Sequence, residues 1–253
     1  MINTQKVYDL PTRFFHWLFA GGFVAAFLIA KTLDDDSALY PYHMMVGMVL
    51  GFAVILRFFW GLWGSRYARF SSFSLNPKDL FQYFIDMIRG QRQRELGHNP
   101  ASSWAAIIMM GLTLGLGVTG YLMVQGQNKE FYEEVHELFA NMFLVVVIAH
   151  VAGVLFHSLR YQDRIAFSMI HGQKKEVVGA QEIEKSHAGV GLLFIALIGV
   201  FVFHLNKNYA PDTRTLNLFG TTLQLGENEN EQEGEGGGEQ GDNDDDEEKD
   251  EHE

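Results

Sequence analysis

The chain has 253 residues, 47% of them hydrophobic, with 31 Asp+Glu against 19 Lys+Arg and a formal net charge of −12. That average joins two unlike parts, because 226–253 carries 15 of the acidic residues and a single basic one, Lys249, leaving a body with 18 Lys+Arg against 16 Asp+Glu. There is no cysteine, so disulfides, cysteine-ligated iron–sulfur clusters and the C-x-x-C-H attachment of a c-type haem are excluded, and any metal centre must use His, Met, Asp or Glu.

Met1 to Thr12 is short and polar, with Lys6 ahead of the first apolar run and Arg13 at its edge. Phe14 to Ala30 is 17 residues without a charge, contains His16 and ends at Lys31. A signal peptide would also begin this way. No clear small-residue cleavage site follows, however, and four more membrane-length segments do, so the run is read as a span. Asp34-Asp35-Asp36 forms an acidic loop, and Tyr42 to Gly64 is the second span, opening on His43 and carrying Arg57 in its later half. Ser65 to Ser103 is polar with six basic residues. Within it Asn76-Pro77 can cap a helix, and Leu80, Phe81, Phe84, Ile85 and Ile88 make the stripe of a helix lying on a membrane surface.

Trp104 to Val124 is 21 residues without a charge, the clearest span of all. A short acidic loop leads to Phe131–Arg160, one long helix whose apolar middle is framed by His136 and His150, fourteen residues apart. At about 100° per residue both imidazoles share one face, and at about 1.5 Å per residue their Cα atoms stand roughly 21 Å apart, most of a hydrocarbon core of about 30 Å. Tyr161 to Ser186 is polar and basic, and Gly189 to Leu205 is a last apolar run of 17 residues. It fits a fifth span or a shallow hairpin, and the span is the favoured reading. Gly115 to Gly120 matches G-x-G-x-x-G, but inside an apolar span with no preceding strand, so nucleotide binding is rejected. No internal repeat is evident, and nothing points to nucleic acid.

Basic and acidic loops alternate, and the positive-inside rule then places the N-terminus and the basic loops in the cytoplasm. Five spans put the acidic tail outside, in the periplasm if the membrane is a bacterial cytoplasmic (inner) membrane. His16 then lies near the inner surface and His43 near the outer one, while His136 is outer and His150 inner. Depth therefore pairs His43 with His136 and His16 with His150. Ionisable residues inside a membrane are costly and mark functional sites; two pairs of imidazoles at two depths are what two stacked haems need. Lone histidines can also be plain hydrogen-bonded interior residues. His98 sits in a loop, His204 ends the last span, and His157 shares the face of His150 as a rival inner ligand. Arg57, fourteen residues after His43 and on its face, either binds an anion such as a haem propionate or snorkels to the headgroups. Gly47 and Gly51 allow a ring or another helix to approach closely.

The stretches YDLPTRFFHW, RFFWGLWGSRYARF, GHNP at Gly97 to Pro100, and HVAGVL followed by MIHGQKK resemble the bacterial cytochrome b561 family, over about residues 6–176. That group is related to the b-type subunit of nickel–iron hydrogenases and to the membrane subunit of formate dehydrogenase. The resemblance implies a four-helix carrier of haem b that exchanges electrons with quinone, and its ligand pattern falls on His16, His43, His136 and His150. His157 stands where the family pattern suggests a small polar residue.

The expectation is an all-α integral membrane helical bundle. Residues 1–188 form a four-helix di-haem domain, 189–205 a fifth transmembrane helix, and 206–253 a polar linker with a disordered acidic tail. Its function is that of a membrane cytochrome with two haem b groups, carrying electrons between quinone and an external partner such as a c-type cytochrome. The alternatives are a b-type anchor subunit of a hydrogenase-like or other multisubunit oxidoreductase, a divalent-metal membrane transporter, and a scaffold with structural histidines.

Overall fold

The structure is a computed structural model that describes residues 4–91, 95–161 and 165–226. The expected disordered acidic tail lies outside the described residues. Among the described residues five helices are long and apolar enough to cross a membrane: α1 (Leu10–Thr32), α2 (Pro41–Trp63), α4 (Pro100–Val124), α5 (Lys129–Tyr161) and α7 (Ala188–Asn208). The protein is a multi-pass helical membrane bundle, as its apolar runs imply.

Three helix starts follow from local chemistry. Asp9 caps α1, its Oδ1 accepting from the Thr12 N–H at 2.9 Å, with Pro11 in the first turn. Asn99 of the GHNP stretch caps α4 in the same way, accepting from Ser102 N–H at 2.7 Å, with Pro100 as the first helical residue. This cap explains why α4 begins four residues before the apolar run. Asn76 caps α3 (Pro77–Arg89), and Gly90 closes it in the left-handed conformation at φ 76°, which glycine adopts without steric cost. Phe81 and Ile88 on α3 are exposed, as a helix at a membrane surface requires.

The polar ends of the bundle are tied together. Strand β1 (Thr4–Lys6) pairs antiparallel with β2 (Gln173–Lys175), which follows the short helix α6 (Ser168–His171). The Asp9 side chain, fully buried, also accepts from Trp60 Nε1 at 3.0 Å, joining the start of α1 to the end of α2. At the opposite end, the segment read as a polar linker carries a small sheet, β3 (Tyr209–Ala210), β4 (Thr215–Leu218) and β5 (Thr221–Gln224). Leu216 pairs with Leu223, both buried against Met45 of α2 and Leu205 of α7. The linker expectation weighed polarity and passed over the period-two alternation of these leucines, which is a strand signal.

Among the long helices, α5 packs its backbone closely against α4 alone, while α1 and α2 pair with each other and α7 lies against both. Side chains bridge the gap between α5 and the α1–α2 pair. Phe143 is 2% exposed, stacks on Phe23 at 4.5 Å and meets Phe19 at 5.8 Å. Seven residues separate it from His136 and seven from His150, which puts it at mid-depth. Truncating a buried phenylalanine leaves a cavity, so Phe143→Ala should cost about 3–5 kcal/mol, read as lost thermal stability of the purified protein in detergent.

Candidate functional site

The structure brings the rings of His43 and His136 together. Their ring centres are 6.3 Å apart with planes at 66°. That separation leaves about the room that two metal–nitrogen bonds of about 2 Å each would take. Both rings have one nitrogen committed. The His43 Nδ1 lies 2.9 Å from the Ala26 carbonyl oxygen, so Nδ1 must carry the proton and donate it. The His136 Nδ1 lies 2.9 Å from Thr119 Oγ1. The Thr119 hydroxyl spends its own proton on the Gly115 and Leu116 carbonyls at 3.0 and 3.1 Å. Its oxygen therefore accepts from His136. Each ring is left with Nε2 as a lone-pair donor, the tautomer that a metal ligand needs, held by a partner outside the metal's own shell.

His16 and His150 lie at the other end, within electrostatic reach of each other, and His16 Nδ1 is shut off from solvent with no hydrogen-bond partner. His157 is also buried there. Arg57 is 4% exposed and belongs to the same end: its Nη2 donates to the Ala68 carbonyl at 2.8 Å and its guanidinium sits 5.2 Å from the centre of the Phe70 ring. The Asp9 carboxylate is near enough to act on it, while Nη1 is buried without an acceptor. This geometry is an anchored, interior arginine with one donor to spare, rather than a side chain reaching for headgroups. His98, in the loop before α4, stands 4.6 Å from the Phe73 ring. Burial pushes its imidazole down to about 3, with Lys174, Arg57 and His150 adding repulsion, so it is neutral.

The glycines divide into two kinds. At Gly47 and Gly51, on the face of α2 that holds His43 and Arg57, an added Cβ would meet nothing within 4 Å. They border open space of the kind a flat ring fills. At Gly115 a Cβ would run into Phe139, and at Gly120 it would touch His136. Those two glycines of the G-x-G-x-x-G match serve the close packing of α4 on α5. The donor set, the gap beside α5 and the open glycine face together suit a haem held by two imidazoles. Among the described residues no three His, Asp or Glu side chains converge as a metal-ion site.

Thr119 and Ala26 are partners that the reading of the sequence missed. Each lies seventeen residues before the histidine it holds, on the preceding helix of a hairpin. Tyr40 was missed as well. It stacks on His43 at 5.9 Å.

A multi-span bundle with imidazoles facing one another inside the membrane is the architecture of a membrane cytochrome. The chain matches the family model described as prokaryotic cytochrome b561 over residues 7–172, and it belongs to that family. It is a membrane b-type cytochrome that transfers electrons, with haem b as cofactor. Its relatives include the "Probable Ni/Fe-hydrogenase 1 B-type cytochrome subunit" of Escherichia coli (strain K12), 22% identical over 222 residues, covering 70% of this chain and 94% of that protein. Another is the "Probable Ni/Fe-hydrogenase B-type cytochrome subunit" of Rhizobium leguminosarum bv. viciae, 22% identical over 210 residues, covering 66% of this chain and 87% of that protein. No solved structure matches the chain.

The Tyr40 phenol, at the loop before α2, is pushed up to about 12 by burial and then by Asp35, whose charge and hydrogen bond favour the protonated form, with Glu133 adding to it. A raised value means that this contribution to stability is complete below the ordinary value of 10.0 and is lost as pH rises through about 12. Tyr40→Phe should therefore flatten the fall in unfolding temperature between pH 10 and 12, measured beside the unmodified chain.

Proposed function

We propose that this cytochrome holds two haem b groups, one between His43 and His136 and one between His16 and His150, and passes electrons between quinone and a redox partner outside the membrane. The observation that carries the reading is the His43–His136 pair, with both Nδ1 protons committed and both Nε2 atoms open. Bound haem supplies a one-electron relay at each depth. The protein's own part would be to hold each haem iron between two imidazoles, His43 with His136 and His16 with His150, and to keep each ring in one tautomer, with the bound group supplying one-electron transfer. Arg57 Nη1 is the donor we assign to an inner haem propionate, since a buried guanidinium with a spare donor calls for an anion. Quinone is placed near the His16/His150 end, where His157 also lies.

The orientation we favour puts the N-terminus and the basic loops on the cytoplasmic side of a bacterial inner membrane and the His43/His136 end toward the periplasmic surface. Asp34, Asp35 and Asp36, with Glu130, Glu133, Glu134 and Glu137 at the start of α5, surround that end. An acidic rim with an acidic tail suits a basic soluble partner such as a c-type cytochrome. The printed names of the relatives favour a second reading, a b-type subunit of a hydrogenase-like oxidoreductase, in which the electron donor is a bound subunit. Co-purification of a stoichiometric subunit from native membrane decides between them.

The reduced-minus-oxidised spectrum of the purified chain should give two haem b per polypeptide. His43→Ala or His136→Ala should each remove one haem, and His16→Ala or His150→Ala the other, while His157→Ala keeps both. Loss of both haems from every single variant, with the protein still inserted, would overturn the pairing. Truncation after Leu225 should leave both haems and their potentials unchanged. It should slow electron exchange with a basic cytochrome several-fold at low salt, the difference fading as ionic strength shortens the Debye length. Equal rates at low salt would remove the tail from the mechanism.

A further inference from the structure

The β4–β5 hairpin ends in a two-residue loop, Phe219-Gly220, with φ of 49° and 89°. Two positive φ values are the signature of the tight hairpin turn that normally takes Asn-Gly, and a bulky aromatic side chain is disfavoured in that backbone. The sheet has no need of Phe219 for its own core, because Leu216, Leu223 and Leu225 are buried and tie it to α2 and α7. Phe219 lies flat on His204 of α7, ring centres 4.9 Å apart at 14°, yet 79% of its surface remains open. Stacking on His204 therefore covers little of the ring.

The position of His204 says what covers the rest. It lies four residues before the end of α7, about 6 Å along the axis from the last residue. One turn below it on the same face is Val200, and beside it is Phe203, both exposed and apolar. This is the lipid-facing flank of a spanning helix, and the hairpin tip folds down over it. Tyr42 and Tyr209 meet at 6.0 Å at the same end of the bundle, as aromatic residues do at the boundary between headgroups and acyl chains.

We propose that the β4–β5 hairpin is a membrane-docked strap whose tip, Phe219, sits in the lipid interface of the leaflet at the His43 end. The partner is the bilayer itself, since at that depth on the flank of α7 lipid is what surrounds the helix. Docking would hold the sheet, and the chain leaving it at residue 226, at a constant height above the His43/His136 pair. The inference rests on α7 spanning the membrane and is independent of how many haems are bound.

The chain has no cysteine, so Phe219→Cys supplies a unique thiol for a nitroxide label on the full chain in phosphatidylcholine/phosphatidylglycerol nanodiscs. Collisional relaxation should show the label several-fold more accessible to oxygen, relative to a nickel chelate, than a label at Asp212→Cys on the exposed loop of the same sheet. Equal ratios at the two sites would overturn the proposal, as would a label that is aqueous until a soluble protein is added. Phe219→Asn, the residue such a turn prefers, should fold and should speed amide exchange of the hairpin several-fold in nanodiscs. Unchanged exchange in that variant would count against docking as firmly as an aqueous label.

Discussion

A charged imidazole is costly inside a membrane and a hydrogen bond to one ring nitrogen fixes the neutral form, and the arrangement of the His43/His136 pair follows from that constraint. His43 and His136 solve it in parallel ways. Each lies in the first turns of the second helix of an antiparallel hairpin, and each is held by the residue seventeen positions earlier on the first helix, by the Ala26 carbonyl in one case and the Thr119 hydroxyl in the other. The two hairpins, α1–α2 and α4–α5, thus present matching rings to each other from opposite sides of one gap. Small residues make the holding possible: the close approach of α4 to α5 depends on Gly115 beside Phe139 and on Gly120 beside His136.

The same gap needs something other than backbone packing to keep its width. Phe143 supplies this at mid-depth, gripping Phe19 and Phe23 of α1 across the space that separates α5 from the first hairpin. Above and below it the gap is lined by histidines and bordered on α2 by the open face of Gly47 and Gly51. One buried aromatic cluster therefore does two jobs. It contributes apolar packing where the helices do not touch, and it stands between the His43/His136 pair and the His16/His150 end, seven residues along α5 from His136 and from His150.

Much of this was legible in the sequence because the membrane simplifies the problem. Apolar length sets the spans, and helical rise converts residue number into depth, so the common depth of His43 and His136 follows before any contact is known. What lay beyond reach was lateral information. Depth does not say whether Arg57 faces a ring, a carboxylate or a headgroup; only the fold shows Ala68 and Phe70 holding it and Asp9 nearby. The Thr119 and Ala26 contacts were recoverable in principle, since a short hairpin loop matches residues equidistant from its centre, but that requires knowing that the hairpins pair closely. The small sheet at 209–224 was masked by its polarity: two strands of four residues beside an acidic run look like linker until their leucines are set in register.

Helix α7 gives the far end of the chain a definite place. Gly191, at its beginning, lies so close to Leu10 that an added Cβ would collide with it, so α7 starts where α1 starts. It then runs the full depth of the bundle and delivers the sheet to the opposite end, where Arg214 donates to the Asp36 carbonyl of the α1–α2 loop. Leu225 is fully buried and its N–H donates to the Arg214 carbonyl at 2.8 Å. The sheet and Leu225 after it are thereby locked to the loop that precedes His43. The chain beyond residue 226 begins at a fixed point beside the His43/His136 pair. A charged segment tethered there would exert its field on that pair and, across about 20 Å of bundle, hardly at all on the His16/His150 end.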